Sequence, residues 1–227
     1  MMKKLISVFM LLTLLFSLAA CSSNTNSDDS SSPKSQSSDP SSSATEESDD
    51  SSTSPVSATP ESEPTEAGSK SLVVYFSWSG NTENVAKSIQ NQTDSDIFKI
   101  VPATPYSDDY NTVVDLAKVE QRENARPAVA DSIENIADYD VIYVGFPNWW
   151  GDMPMILYTF FDSYELSGKT IAPFCTSGGS GLSNTVNEMK ELEPNATVTD
   201  GLHIGSSSAS NPDNAVSEWL SEIGLAK

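Results

Sequence analysis

From Leu72 onward the chain alternates between short apolar runs and stretches of helical period, and it does so about five times before Ile223. "LVVYFS" (72–77) is β-rich and apolar throughout, as expected of a parallel strand buried on both faces. "TENVAKSIQNQ" (82–92) then sets Val85, Ala86 and Ile89 on one helical face. The pattern predicts further strands over Ser95–Val101, Asp140–Phe146, Thr170–Cys175 and, more weakly, Thr197–Ile204. It predicts further helices over Ser107–Asn124, Pro154–Tyr164, Leu182–Leu192 and Asn211–Ile223. In the second helix Val113, Val114, Ala117 and Val119 are the apolar positions, and the last is expected to be capped by Asn211 with Pro212 next. Pro154 fits a first helical turn, whereas Pro173 is awkward inside a strand. Strand–helix alternation of this kind implies a doubly wound α/β domain, a five-stranded parallel sheet with right-handed crossovers.

In such sheets ligands bind beyond the carboxyl ends of the strands. Three loops of unusual composition fall there: Ser77–Thr82, Pro147–Met153 and Thr176–Gly181. In the first, Ser77-Trp78-Ser79-Gly80-Asn81-Thr82 joins a buried strand to a helix N-terminus. Free backbone N–H groups and the helix dipole there suit an anion, Gly80 permits a close turn, and three hydroxyls add donors. The loop contains no Lys or Arg and lacks both the P-loop and the three-glycine dinucleotide patterns, so it suits a single terminal phosphate. A plain helix cap would need only one such residue. In "FPNWWGDMP" the adjacent Trp149 and Trp150 either cover the core or sandwich a flat aromatic ligand. "CTSGGSG" allows a second close backbone approach.

The first seventy residues differ in kind. Lys3 and Lys4 precede an apolar run from Leu5 to Ala20 that ends in Leu18-Ala19-Ala20-Cys21. This reads as an export signal, 1–20, and its spacing resembles a bacterial lipoprotein signal in which Cys21 becomes lipidated. A transmembrane anchor is the alternative, for which the run is short. Residues 21–70 are Ser, Thr, Pro, Asp and Glu with almost no large apolar side chain. Such a segment cannot bury enough surface to offset the entropy of ordering it, and reads as a disordered tether of roughly 40 Å root-mean-square span. The expected location is outside the cytoplasm, anchored to the membrane through Cys21. Residues 71–227 form one domain, with eight Lys and Arg against 22 Asp and Glu, a net charge of −14. That sign excludes nucleic acid as a natural partner and favours a basic protein or a small molecule. With Cys21 set aside only Cys175 remains, so no disulfide is expected within the domain.

Taken in order, "SWSGNTENVA", "FPNWWGDMP" and "PFCTSGGSG" resemble the phosphate loop, the Trp-Trp-Gly loop and the third ligand loop of bacterial flavodoxins, and the similarity spans Ser71–Lys227. With no long insertion near the last strand, the chain resembles the short-chain type. The resemblance implies strand order 2-1-3-4-5 and non-covalently bound flavin mononucleotide (FMN). It implies that Ser77, Ser79, Gly80, Asn81 and Thr82 hold the phosphate and that Trp78 lies near the ribityl chain. Pro147, Asn148, Trp149, Trp150 and Gly151 would border the isoalloxazine, with Thr176, Ser177, Gly178 and Gly179 closing its other side. The second loop also resembles that of flavin-dependent quinone reductases.

Three function classes follow: a monomeric electron carrier serving redox partner proteins or a small-molecule acceptor; an NAD(P)H-dependent flavin enzyme reducing quinones, nitro or azo compounds; and a flavin-free interaction module. The absence of an appended nicotinamide-binding domain favours the carrier, and the intact phosphate loop disfavours the third class. No catalytic residue or metal cluster is expected. His203, the sole histidine, reads as structural, Cys175 as a buried small side chain, and Asp152 as an exposed turn residue.

Overall fold

The computed structural model describes residues 69–227. The expected signal, Cys21 and nearly all of the tether lie outside the described residues. The elements are β1 (Ser71–Tyr75), α1 (Asn81–Thr93), β2 (Asp96–Lys99), α2 (Tyr110–Arg122), β3 (Val141–Pro147), α3 (Met155–Ser163), β4 (Thr170–Ser177), α4 (Thr185–Leu192), β5 (Thr197–Val198), β6 (Leu202–Gly205) and α5 (Asp213–Glu222). All strand pairs are parallel, in the order β2-β1-β3-β4-β5, with β6 also against β4.

Every residue of β3 but Pro147 is buried, as is every residue of β4 but Thr170, because helices cover both faces of the sheet. On one face Val85, Ala86 and Ile89 of α1 and Val216, Trp219 and Leu220 of α5 pack on Val73, Tyr143 and Phe174. On the other, Met155, Ile156, Phe160 and Phe161 of α3 and Met189 of α4 pack on Leu72, Val74, Ile142 and Val144. Each buried Val, Leu, Ile, Phe or Met side chain among these contributes about 1.5–3 kcal/mol by leaving water.

The expected last strand is two strands. Thr197–Val198 pairs with Thr170 and Ile171, and Leu202–Gly205 pairs with Phe174 to Ser177. Between them Gly201 passes so near Leu182 that a Cβ would stand 2.9 Å from its side chain. This break explains Pro173. Thr170 donates its N–H to Asp140 and Ile171 accepts from Thr199, so alternation turns the nitrogen of Pro173 toward the gap between β5 and β6. The missing N–H costs no ladder bond there.

The helix ends also shift. Asp109 caps α2, accepting from Thr112 N at 2.8 Å, so this helix starts later than Ser107. Val113 and Ala117 are its buried positions, while Val119 is exposed. Asn211 does not cap α5. Pro212 holds that position, without a side-chain hydrogen bond. Pro154 likewise precedes α3 rather than opening its first turn.

Candidate cofactor site

The three loops lie at the carboxyl edge of β1, β3 and β4. In the first, Gly80 has φ 88°, the left-handed conformation that glycine adopts without strain. Its N–H donates to Ser77 Oγ at 3.1 Å, and its carbonyl accepts from Asn84 at 3.1 Å. The N–H groups of Trp78, Ser79, Asn81 and Thr82 meet no protein acceptor among the described residues. Ser79 is exposed. Thr82 is buried, its hydroxyl 2.9 Å from that of Thr176 at the end of β4, and this contact joins the first loop to the third.

The second loop is a tight hairpin turn. Trp149 N–H donates to Asp152 O at 2.9 Å and Asp152 N–H to Trp149 O at 3.1 Å. The central residues Trp150 and Gly151 have φ 56° and 83°, the signs of a type I′ turn. Trp150 is thus a bulky side chain in the left-handed region, 51% exposed. Its indole N–H reaches Val114 O on α2 at 3.0 Å, and Lys118 Nζ stands 4.7 Å from its ring centroid. Trp149 packs edge-on against Phe76 (5.4 Å) and Tyr106 (5.3 Å). The phenol of Tyr106 donates to Glu120 at 2.9 Å, and burial raises the pKa of both groups. Asp152 is not the exposed turn residue expected. It is half-buried, and its carboxylate accepts from Tyr158 OH at 3.0 Å. Tyr158 lies six residues further on, in α3, so the pair depends on how that helix docks.

In the third loop Thr176 and Ser177 are buried and Gly178 and Gly179 exposed. A Cβ on Gly178 or Gly179 would meet open space. Cys175 is fully buried, its thiol against Gly181 O at 3.2 Å, and burial pushes its pKa up to about 12. Such a thiol is inert.

Trp78, Asn148, Trp149, Trp150 and Gly151 together line a cleft of about 280 Å³. The rest of the lining comes from Tyr110, Val113, Val114 and Ala117 of α2, which lie outside the three loop motifs, and from Ser180 of the third loop. Helical period marks Val113 and Ala117 as inward-facing, but nothing local shows that they border a cleft. Trp78 is fixed by its indole N–H to Ser107 O at 2.9 Å, with its ring 6.2 Å from that of Tyr110. Pro147 ends β3 just below the cleft. The remaining phosphate-loop residues and Thr176–Gly179 do not line it. The first loop adjoins the cleft through Trp78, which belongs to both. The arrangement can take an anion on neutral N–H donors and a flat apolar group among aromatic side chains.

A doubly wound sheet carrying these three loops defines a nucleotide-binding α/β protein. The flavodoxin family model matches residues 70–223, and the chain belongs to the flavodoxin family. The structure is similar to a protein from Bacteroides eggerthii described as a flavoprotein, at 35% identity and a TM-score of 0.63, covering 69% of this chain and 99% of that one. It is also similar to a flavoprotein from Lactobacillus acidophilus in complex with FMN, at 25% identity and a TM-score of 0.55, covering 67% of this chain and 99% of that one. In sequence the chain is 27% identical over 148 residues to an NAD(P)H dehydrogenase (quinone) from Caulobacter vibrioides, 60% of this chain and 67% of that protein.

Proposed function

We propose that this flavodoxin uses FMN to pass electrons to a redox partner protein or a small-molecule acceptor, working as a monomer outside the cytoplasm and anchored through lipid on Cys21. The carrying observation is the row of N–H groups leading into α1 that meet no protein acceptor among the described residues, beside a cleft walled by aromatic rings. When bound, FMN accepts and returns electrons one or two at a time. The N–H groups of Ser79, Asn81 and Thr82 would hold the phosphate. The Ser77 hydroxyl accepts from Gly80, which leaves its own proton free to donate. Trp149 and Trp150 would shield the flavin ring from water, with Trp78 beside the ribityl chain.

A second reading, reduction of quinones with NAD(P)H, is favoured by the Caulobacter relative and by the two exposed aromatic side chains at the cleft, Tyr110 and Trp150. Purified protein mixed with NADH or NADPH and a quinone separates the two. A carrier alone leaves the nicotinamide absorbance unchanged, whereas steady oxidation means an enzyme.

Flavin emission should be quenched on binding. Replacing Trp149 and Trp150 together by leucine should restore it and weaken binding by about 0.5–1.5 kcal/mol per lost aromatic contact. Unchanged emission and affinity would leave Trp149 to its packing on Phe76 and Tyr106 and Trp150 to its contacts with α2, with no role at the flavin. Anchoring has its own test: Cys21→Ala should move the protein out of the membrane fraction, since each methylene of a lipid chain contributes about 0.8 kcal/mol of membrane affinity. Retention of that variant in the membrane would point to the apolar run 5–20 as the anchor.

A further inference from the structure

We infer that His203 is a positioning residue for the cofactor cleft, fixing the second and third loops through Ser177. His203 stands on β6 beside β4, and its Nε2 is 2.8 Å from Ser177 Oγ. Ser177 Oγ also receives two backbone N–H groups of the third loop, from Gly179 at 3.2 Å and Gly181 at 3.1 Å. A serine hydroxyl has two acceptor positions and one proton. Both acceptor positions are occupied, so the proton goes to the histidine. Nε2 is therefore an acceptor, and the ring proton sits on Nδ1.

From Gly181 the network continues into the second loop. The Gly181 carbonyl accepts from Asn148 Nδ2 at 2.9 Å, and Asn148 Oδ1 accepts from Gly151 N–H at 3.0 Å. Asn148 and Gly151 both line the cleft, and Gly151 belongs to the turn that carries Trp150. Without an acceptor at Nε2 the Ser177 hydroxyl turns to find another, and loses one of the glycine N–H groups as it does so. The geometry of two cleft loops thus depends on a residue that does not line the cleft.

The consequence for FMN rests on the function proposed above, but the hydrogen-bond network can be read without flavin. His203 is the only histidine in the chain, so ¹⁵N-histidine labelling of full-length protein without a histidine tag gives one imidazole. Its Nε2 should show the shift of an unprotonated nitrogen, and this signature should change in Ser177→Ala. In flavin-free protein the Gly151, Gly179 and Gly181 amide signals should move in His203→Leu. They should stay near wild type in His203→Gln, whose amide oxygen restores an acceptor. FMN affinity should fall about tenfold in His203→Leu and stay within about threefold of wild type in His203→Gln. If His203→Leu fails to fold, His203→Asn, a polar side chain too short to bring an acceptor to where Nε2 stands, should show the same affinity loss. A proton on Nε2, or His203→Leu binding FMN as wild type does, overturns the inference. If wild-type protein binds no flavin, the proposed function falls, and the imidazole and glycine signals still decide whether His203 sets the loops.

Discussion

Riboflavin should bind this protein more than a hundredfold more weakly than FMN. The two ligands differ only in the phosphate, and the loop leading into α1 presents four N–H groups with no protein acceptor among the described residues. A hydrogen bond to a charged group contributes about 1.5–3 kcal/mol. Two such bonds give at least about 3 kcal/mol, and each 1.4 kcal/mol is tenfold in affinity. No lysine or arginine in the loop adds a long-range attraction, so the difference belongs to these short contacts. Replacing Ser79 and Thr82 by alanine should cost FMN at least tenfold and riboflavin little. Thr82 acts partly through Thr176, whose hydroxyl loses its partner in that variant. Titration of flavin-free protein with each flavin measures both effects, and equal affinity for the two would sink the phosphate assignment.

Gly145→Ala should destabilise the domain by about 3 kcal/mol or more, at the upper end of what one extra methyl group costs in a packed core. Gly145 lies in β3 opposite Phe174 of β4, and a Cβ built there would stand 2.1 Å from that ring. The ring is fully buried in the cluster that α5 completes, so shifting it disturbs packed neighbours. Domains of this size are stable by only about 5–15 kcal/mol, so the loss should show as a large drop in denaturant midpoint. Phe174→Leu should recover part of it in the double variant, because the two changes meet at one contact. A loss under about 1 kcal/mol would mean that the Phe174 ring shifts aside at little cost.

β1, β3 and β4 are legible in the sequence because both faces of each are covered, so apolar residues run on without the alternation that would confuse them with a half-exposed strand. The loops that follow them are legible for a different reason: Gly80, Trp150-Gly151 and Gly178-Gly179 are costly or idle residues unless a ligand or a special turn needs them. What escaped is what depends on docking. "TVTDGLHI" carries β-branched residues at both ends, yet the chain breaks between them where Gly201 closely approaches Leu182. Asp152 reads as a turn aspartate until α3 brings Tyr158 to it. The α2 wall of the cleft follows from where that helix lies, not from its own pattern, which marks Val113 and Ala117 only as buried. His203 reads as a filler of a weak strand, because its partner Ser177 is 26 residues away.

The interruption between β5 and β6 also bears on how copies of this domain behave toward one another. An open sheet edge is a template on which a neighbouring chain can add a strand. Here one edge is divided into pieces of two and four residues, with a proline on β4 behind the gap. The opposite edge, β2, is only four residues long and ends in exposed Asp96 and Lys99, which pair with Lys70 and Glu83 at 3.3 and 2.8 Å. Neither side offers an unbroken row of backbone groups to a second copy. At the surface density that the proposed lipid anchor would create, collisions between neighbours would be frequent, and a sheet with edges like these lets them part again instead of growing into an aggregate.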